Sequence, residues 1–110
     1  MTLLEMDRVI VLTPHGDLHE GSECDEMERT LLALAAGGRR VVADLSGTHR
    51  LSAHCLGILA AAQQRALASG GRIALCGINR FDRWLLTRSH LNEVLTIFED
   101  RDAAVRSLAA

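Results

Sequence analysis

The pattern that most restricts this chain is a pair of double glycines. Each follows a helix-like stretch and leads at once into arginine and a short apolar run: Gly37-Gly38-Arg39-Arg40-Val41-Val42-Ala43, and Gly70-Gly71-Arg72-Ile73-Ala74-Leu75-Cys76. Glycine just past the last helical turn accepts the positive φ that commonly ends a helix. Apolar runs of three or four residues without alternation fit strands covered on both faces. Two helix–strand joints of this kind imply two strand–helix–strand crossovers, and so an α/β layer structure.

The flanking segments extend this frame. Leu3, Leu4 and Met6 are separated from Val9-Ile10-Val11-Leu12 by the polar pair Asp7-Arg8, which predicts an antiparallel hairpin, and Pro14 ends its second strand. Ser22 and Asp25 form an S-x-x-D start for a helix whose apolar positions are Cys24, Met27, Leu31, Leu34 and Ala35. Val41-Val42-Ala43 is the expected central strand. Ser52 is the expected N-cap of a second helix with an inward stripe of Cys55, Leu56, Leu59, Ala60, Gln63, Ala66 and Leu67. Asn79 caps a short third helix carrying Phe81, Trp84 and Leu85, a strand follows around Val94-Leu95-Thr96-Ile97, and Asp100 caps a closing helix with Ala104, Val105 and Leu108. The order is ββαβαβαβα, a mixed sheet of about five strands with four helices.

A chain of 110 residues fits one domain, 1–110, large enough for a core without metal or disulfide staples. A net charge of −2 offers no attraction to nucleic acid or an anionic membrane. No apolar run approaches the roughly 18 to 20 residues of a membrane span, and MTLLEMDR carries acids where a secretion signal needs bases, so a cytoplasmic protein without membrane insertion is expected. Cys24, Cys55 and Cys76 form no C-x-x-C pair and are odd in number, against a disulfide framework or zinc knuckle; Cys24 and Cys76 are expected as buried packing residues. His49, His54 and Cys55 lie close together without a second cluster to complete a metal site. No phosphate loop or dinucleotide fingerprint occurs, so no cofactor is expected.

Function is expected between Asp44 and Leu59, where a strand runs through Asp44-Leu45-Ser46-Gly47 into the helix capped by Ser52. Such a junction aims free backbone N–H groups outward. Asp44 is expected to hold the loop Ser46 to Leu51 in shape by accepting backbone or hydroxyl hydrogen bonds. The spelling resembles the core motif of STAS domains, the sulfate-transporter and anti-sigma-factor-antagonist family, D-L-S-G followed by D-S-S/T-G-L-G. Asp44 to Gly47 match its first half and Leu56 to Leu59 its tail; Gly16-Asp17-Leu18 resembles the family's G-x-L-D element, with His19 in place of the acid.

The middle of the motif departs from the family. Ser52, Ala53, His54 and Cys55 stand where D-S-S-G is usual, which puts His54 in the phosphoacceptor position. The resemblance implies a non-enzymatic module that binds a protein partner, an anti-sigma factor or serine-kinase-like regulator, through Ser46, Gly47, Ser52, Ala53, His54, Cys55 and Gly57. It implies structural roles for Asp44 and Gly16, and strand ends that converge so that Asp17 and His19 approach the Asp44 edge. Ser52 is first a helix cap and second a residual phosphorylation site. Ala53-His54 in place of a serine pair implies binding without the serine switch. The alternatives are a STAS subunit of a lipid-transport ATPase complex, or a redox or small-ligand sensor using Cys55; a homodimer stays open. An enzyme is disfavoured, because neighbours in a helix point about 100° apart and His54 is poorly placed to activate Cys55.

Overall fold

A tight hairpin opens the chain. In the computed structural model, which describes residues 1–15, 22–48 and 51–110, β1 (Thr2–Met6) pairs antiparallel with β2 (Val9–Thr13), Met6 opposite Val9. Only Asp7 and Arg8 are left for the turn, and both take left-handed φ, 52° and 69°. That is the type I′ geometry, whose twist suits a two-residue hairpin.

The chain continues through α1 (Ser22–Ala36), β3 (Arg40–Asp44), α2 (Ala53–Ala68), β4 (Arg72–Cys76), α3 (Arg80–Arg88), a 3-10 turn (Leu91–Glu93), β5 (Thr96–Phe98) and α4 (Arg101–Ala109). The five strands lie in the order β1-β2-β3-β4-β5, with β2 to β5 mutually parallel and β3 at the centre. The mixed sheet and four helices agree with the sequence reading. The crossovers number three, since α3 carries the chain from β4 to β5.

Strand periodicity divides the core in two. Val9, Val11, Val42, Ala74 and Cys76 face one side and pack on Ala104, Val105 and Leu108 of α4. The alternate residues Leu12, Val41, Ala43, Ile73 and Leu75 face the other side, with Met27, Leu31 and Ala35 of α1 and Leu56, Leu59, Ala62 and Ala66 of α2. Covered on both faces, β3 and β4 need the unalternating apolar spelling that marks them in the sequence. Burying one such leucine contributes about 1.5–3 kcal/mol relative to leaving it in water.

The double glycines have a cause beyond helix termination. A Cβ on Gly71 would collide with the Arg39 carbonyl oxygen, and one on Gly38 with that of Ser69. The two helix–strand joints therefore pass backbone against backbone, and Arg72 N–H donates to the Arg39 carbonyl at 3.3 Å.

Two expectations need correction, at Leu67 and at the last strand, and α3 adds a finding of its own. Leu67 lies outside the α2 stripe at 53% exposed, and Ile58 and Ala62 are buried instead. Phe81 and Trp84 are 59% and 53% exposed, stacked on each other at 5.9 Å between centroids, while α3 turns Asp82 and Leu86 inward. The last strand starts at Thr96 rather than Val94. Its shortness leaves the start of β4 without a neighbour on that side, and Gln63 of α2 fills the gap. Its Oε1 accepts the Ile73 N–H at 2.7 Å and its Nε2 donates to the Val94 carbonyl at 3.3 Å. A glutamine read as part of an apolar stripe is thus buried as a substitute for a missing strand residue.

Candidate functional site

The carboxyl end of β3 and the start of α2 form one corner. After Asp44 the chain adds a further link to β4, Leu45 N–H donating to the Cys76 carbonyl at 2.9 Å, and then turns, Thr48 N–H donating to the Leu45 carbonyl at 3.1 Å. Ser46 donates twice to Asp44 Oδ1, from its N–H at 3.1 Å and from its hydroxyl at 2.7 Å. A carboxylate two residues earlier that collects both donors is an Asx-type brace and stiffens the turn locally.

The brace is also held from outside. Gly77, just beyond β4, has φ +71°, and a Cβ there would lie 2.8 Å from Ser46 N, 2.9 Å from Ser46 Cβ and 3.0 Å from Asp44 Oδ1. Only glycine satisfies both the dihedral and the approach. Buried Leu45 and Leu51 anchor the segment to the core, leaving Ser46 and Gly47 at the surface.

Ser52 opens α2 with extended φ/ψ of −85° and 163°, and its hydroxyl oxygen accepts the Cys55 N–H at 3.1 Å. Beyond it Ala53, His54 and Gly57 are exposed, at a helical spacing that places them on one face. The same face continues through Ala61, Gln64 and Ala68, all exposed, and nothing lies within 4 Å of where a Gly57 Cβ would stand. The result is an exposed strip running from the corner along α2, made of small residues at Ala53, Gly57, Ala61 and Ala68 and interrupted by Gln64. The contact set implied by the motif ends at Gly57, and the spacing of four, four, three and four residues from Ala53 carries the strip on to Ala68.

Cys55 does not belong to the contact face. It is 0% exposed, in the core with Cys24, whose Sγ is 2.6 Å from its own. At the third position of α2 it turns inward while His54 turns outward, so the two share no reaction centre. Gly16, Asp17, His19 and His49 lie outside the described residues, and with them the expected approach of Asp17 and His19 to Asp44.

Beside the brace, Asp44, Ser46 and Gly77 line a shallow hollow with Glu99, Asp100, Arg101 and Asp102 at the start of α4. Asp100 already caps that helix, accepting the Ala103 N–H at 2.8 Å. Four carboxylates against one guanidinium make the hollow hostile to anions. Beneath it, burial first and then the Asp44 and Asp100 carboxylates push the Cys76 thiol up to about 12, which keeps it protonated and unreactive. Among the described residues, no three His, Cys, Asp or Glu side chains converge as a metal site, and no helix is long and apolar enough to cross a membrane.

The model of a family described as "Mlab, STAS domain" matches residues 3–97. The chain belongs to the STAS domain family. Solved structures carry the same fold at low identity. A STAS anti-sigma-factor antagonist domain protein from Planctomyces limnophilus superimposes with a TM-score of 0.82 at 20% identity, covering 99% of this chain and 97% of the other. An anti-sigma factor antagonist from Mycobacterium paratuberculosis gives 0.83 at 20% identity, covering 99% and 92%. The Bacillus cell fate determinant SpoIIAA in its phosphorylated form gives 0.73 at 14% identity, covering 96% and 97%. No curated protein matches the sequence. In STAS terms, the D-L-S-G tetrapeptide is the braced turn, and the departures from the family motif fall on the first turn of α2.

Proposed function

We propose that this STAS domain is a non-enzymatic regulatory module that docks a protein partner on the corner made by Ser46, Gly47, Ser52, Ala53, His54 and Gly57, without a serine phosphorylation switch. The observation that carries this reading is the continuity of an exposed small-residue strip on α2 with a turn braced by Asp44 and Gly77. Small side chains let a partner's backbone or helix approach closely, and a pre-stiffened turn loses little entropy on binding. The likeness to solved anti-sigma factor antagonists supports an anti-sigma factor or serine-kinase-like partner. Serine is absent from the acceptor position, where His54 stands, and the nearby Ser52 hydroxyl already serves as the helix cap.

A second reading, a STAS subunit docked on the ATPase of a lipid-transport complex, is favoured by the Mlab description of the matched family. Affinity capture from the source cell with the wild-type chain and with Gly57→Arg tests both. Capture of an anti-sigma factor, lost in Gly57→Arg, supports the first reading, and capture of an ATPase lost in the same variant selects the second. A partner retained undiminished by Gly57→Arg overturns the docking face. Incubation with the captured kinase and ATP tests the missing switch: a full equivalent of phosphate on Ser52 or Ser46 overturns it.

A further inference from the structure

The three thiols are distributed so that one pairing is available. Cys24 is the third residue of α1 and Cys55 the third of α2. Both are buried in the core on the α1/α2 side of the sheet, with their sulfurs 2.6 Å apart. Cys76 belongs to the opposite core, under α4, and the sheet separates it from the other two. A sulfur–sulfur bond is about 2.05 Å long, so the pair stands within roughly half an ångström of bonding distance while Cys76 has no partner on its own side.

We propose that Cys24 and Cys55 are a redox modification site, joined under hydrogen peroxide into a reversible disulfide that ties the start of α1 to the start of α2. In the first step Cys55 Sγ attacks the peroxide: an S–O bond forms, the O–O bond breaks, and the thiol proton leaves in one molecule of water. In the second, Cys24 Sγ attacks the sulfenic sulfur: the S–S bond forms, the S–O bond breaks, and the hydroxyl leaves with the Cys24 proton as a second water. The two sulfurs together lose two electrons and the peroxide gains them. Burial and the neighbouring Cys55 push the Cys24 thiol up to about 12, so it stays protonated and its attack on the sulfenic sulfur is coupled to transfer of its proton to the leaving hydroxyl, which slows the step. Both sulfurs are covered, so attack waits on local opening of the helix starts and is slow compared with an exposed thiol.

The bridge closes a long loop from α1 through β3 to α2 and so constrains the unfolded chain. Its outer neighbours in the first two turns of α2 are Ala53, His54 and Gly57. Control of docking by this bond rests on the proposed function, whereas formation of the bond does not.

The test is oxidation of the full chain with hydrogen peroxide, then alkylation, trypsin digestion without reductant and mass spectrometry. Every basic residue of the lysine/arginine class is arginine, and cleavage puts Cys24, Cys55 and Cys76 in three separate peptides, 9–29, 51–65 and 73–80. The expected product is a 9–29/51–65 cross-link with Cys76 alkylated, reversed by dithiothreitol and accompanied by a Tm rise of about 5–15 °C. Three alkylatable thiols after oxidation, a cross-link containing Cys76, or sulfinic acid on Cys55 in place of the bridge overturns the proposal. In Cys24→Ala the oxidant should leave Tm where it was, and an equal rise there also overturns it. A partner affinity unchanged by a confirmed bridge removes only the regulatory consequence, so failure of the bond and failure of the docking reading are distinguishable.

Discussion

Replacing Gly77 with alanine tests whether the docking corner is rigid because two strand ends crowd it. The φ of +71° costs an L-residue about 1–2 kcal/mol. The new Cβ would stand 2.8 Å from Ser46 N and 3.0 Å from Asp44 Oδ1, well inside ordinary contact, so the turn has to withdraw. Withdrawal loosens two hydrogen bonds to a carboxylate, at 2.7 and 3.1 Å, which together contribute about 1–2 kcal/mol at this exposed position. The expected destabilisation is about 3 kcal/mol. With a urea m-value of about 1.5 kcal/mol per M, the midpoint falls by about 2 M at unchanged m. Far-UV circular dichroism is the appropriate signal, since Trp84 is already half exposed in the folded chain. Gly57→Ala is the control: Gly57 lies in a helix with open space around it, and alanine there should stabilise by about 0.8 kcal/mol. In a Ser46→Gly background, which removes the Ser46 Cβ and hydroxyl, the Gly77→Ala penalty should shrink by at least about 1 kcal/mol. An undiminished penalty in that background, or a single-variant loss below about 0.5 kcal/mol, would refute the crowding argument.

Gln63→Leu leaves the Ile73 N–H and Val94 carbonyl without their partner and should cost about 2 kcal/mol after the gain from burying leucine, with selective loss of hydrogen-exchange protection at Ile73. Equal exchange at Ile73 in both proteins would contradict that role. Arg8→Gly relieves a left-handed φ of 69° in the β1–β2 turn and should raise stability by about 1 kcal/mol in urea unfolding; a loss would argue against the type I′ turn. Cys76 titrates near its ordinary 9.0 in the unfolded chain and at about 12 when folded, so above pH 9 the unfolded state binds fewer protons and stability falls toward pH 12, by up to about 1.4 kcal/mol per pH unit for this one thiol. Urea midpoints measured between pH 8 and 11 should show the fall, and Cys76→Ala should flatten it relative to wild type.

Much of the architecture was legible because local spelling and global fold agree. Unalternating Val41-Val42-Ala43 and Ile73-Ala74-Leu75-Cys76 are strands under helices on both faces, and Ser52, Asn79 and Asp100 cap the helices they precede. Misreadings fall where periodicity is short or where distant segments decide. The last strand begins at Thr96, because the preceding residues Leu91–Glu93 form a 3-10 turn that local spelling does not separate from the strand. Leu67 follows buried Ala66 in the last turn of α2, and the helical step of about 100° turns it away from the sheet. The corner was recognisable from D-L-S-G, but its contact set was not: Cys55 lies next to His54 in sequence and faces the other way.

The sequence by itself determined the alternation of strands and helices, the helix starts and stops, and the family motif at the corner, because each depends on residues within a turn or two of one another. Only the tertiary structure decided what those residues meet. Gly71 lies against Arg39, Gly77 against Ser46, Gln63 completes β4, and Cys24 stands beside Cys55. These contacts join residues about ten to more than thirty positions apart, and their geometry is set by how the helices cross the sheet, a property of the packed layers that no local pattern encodes.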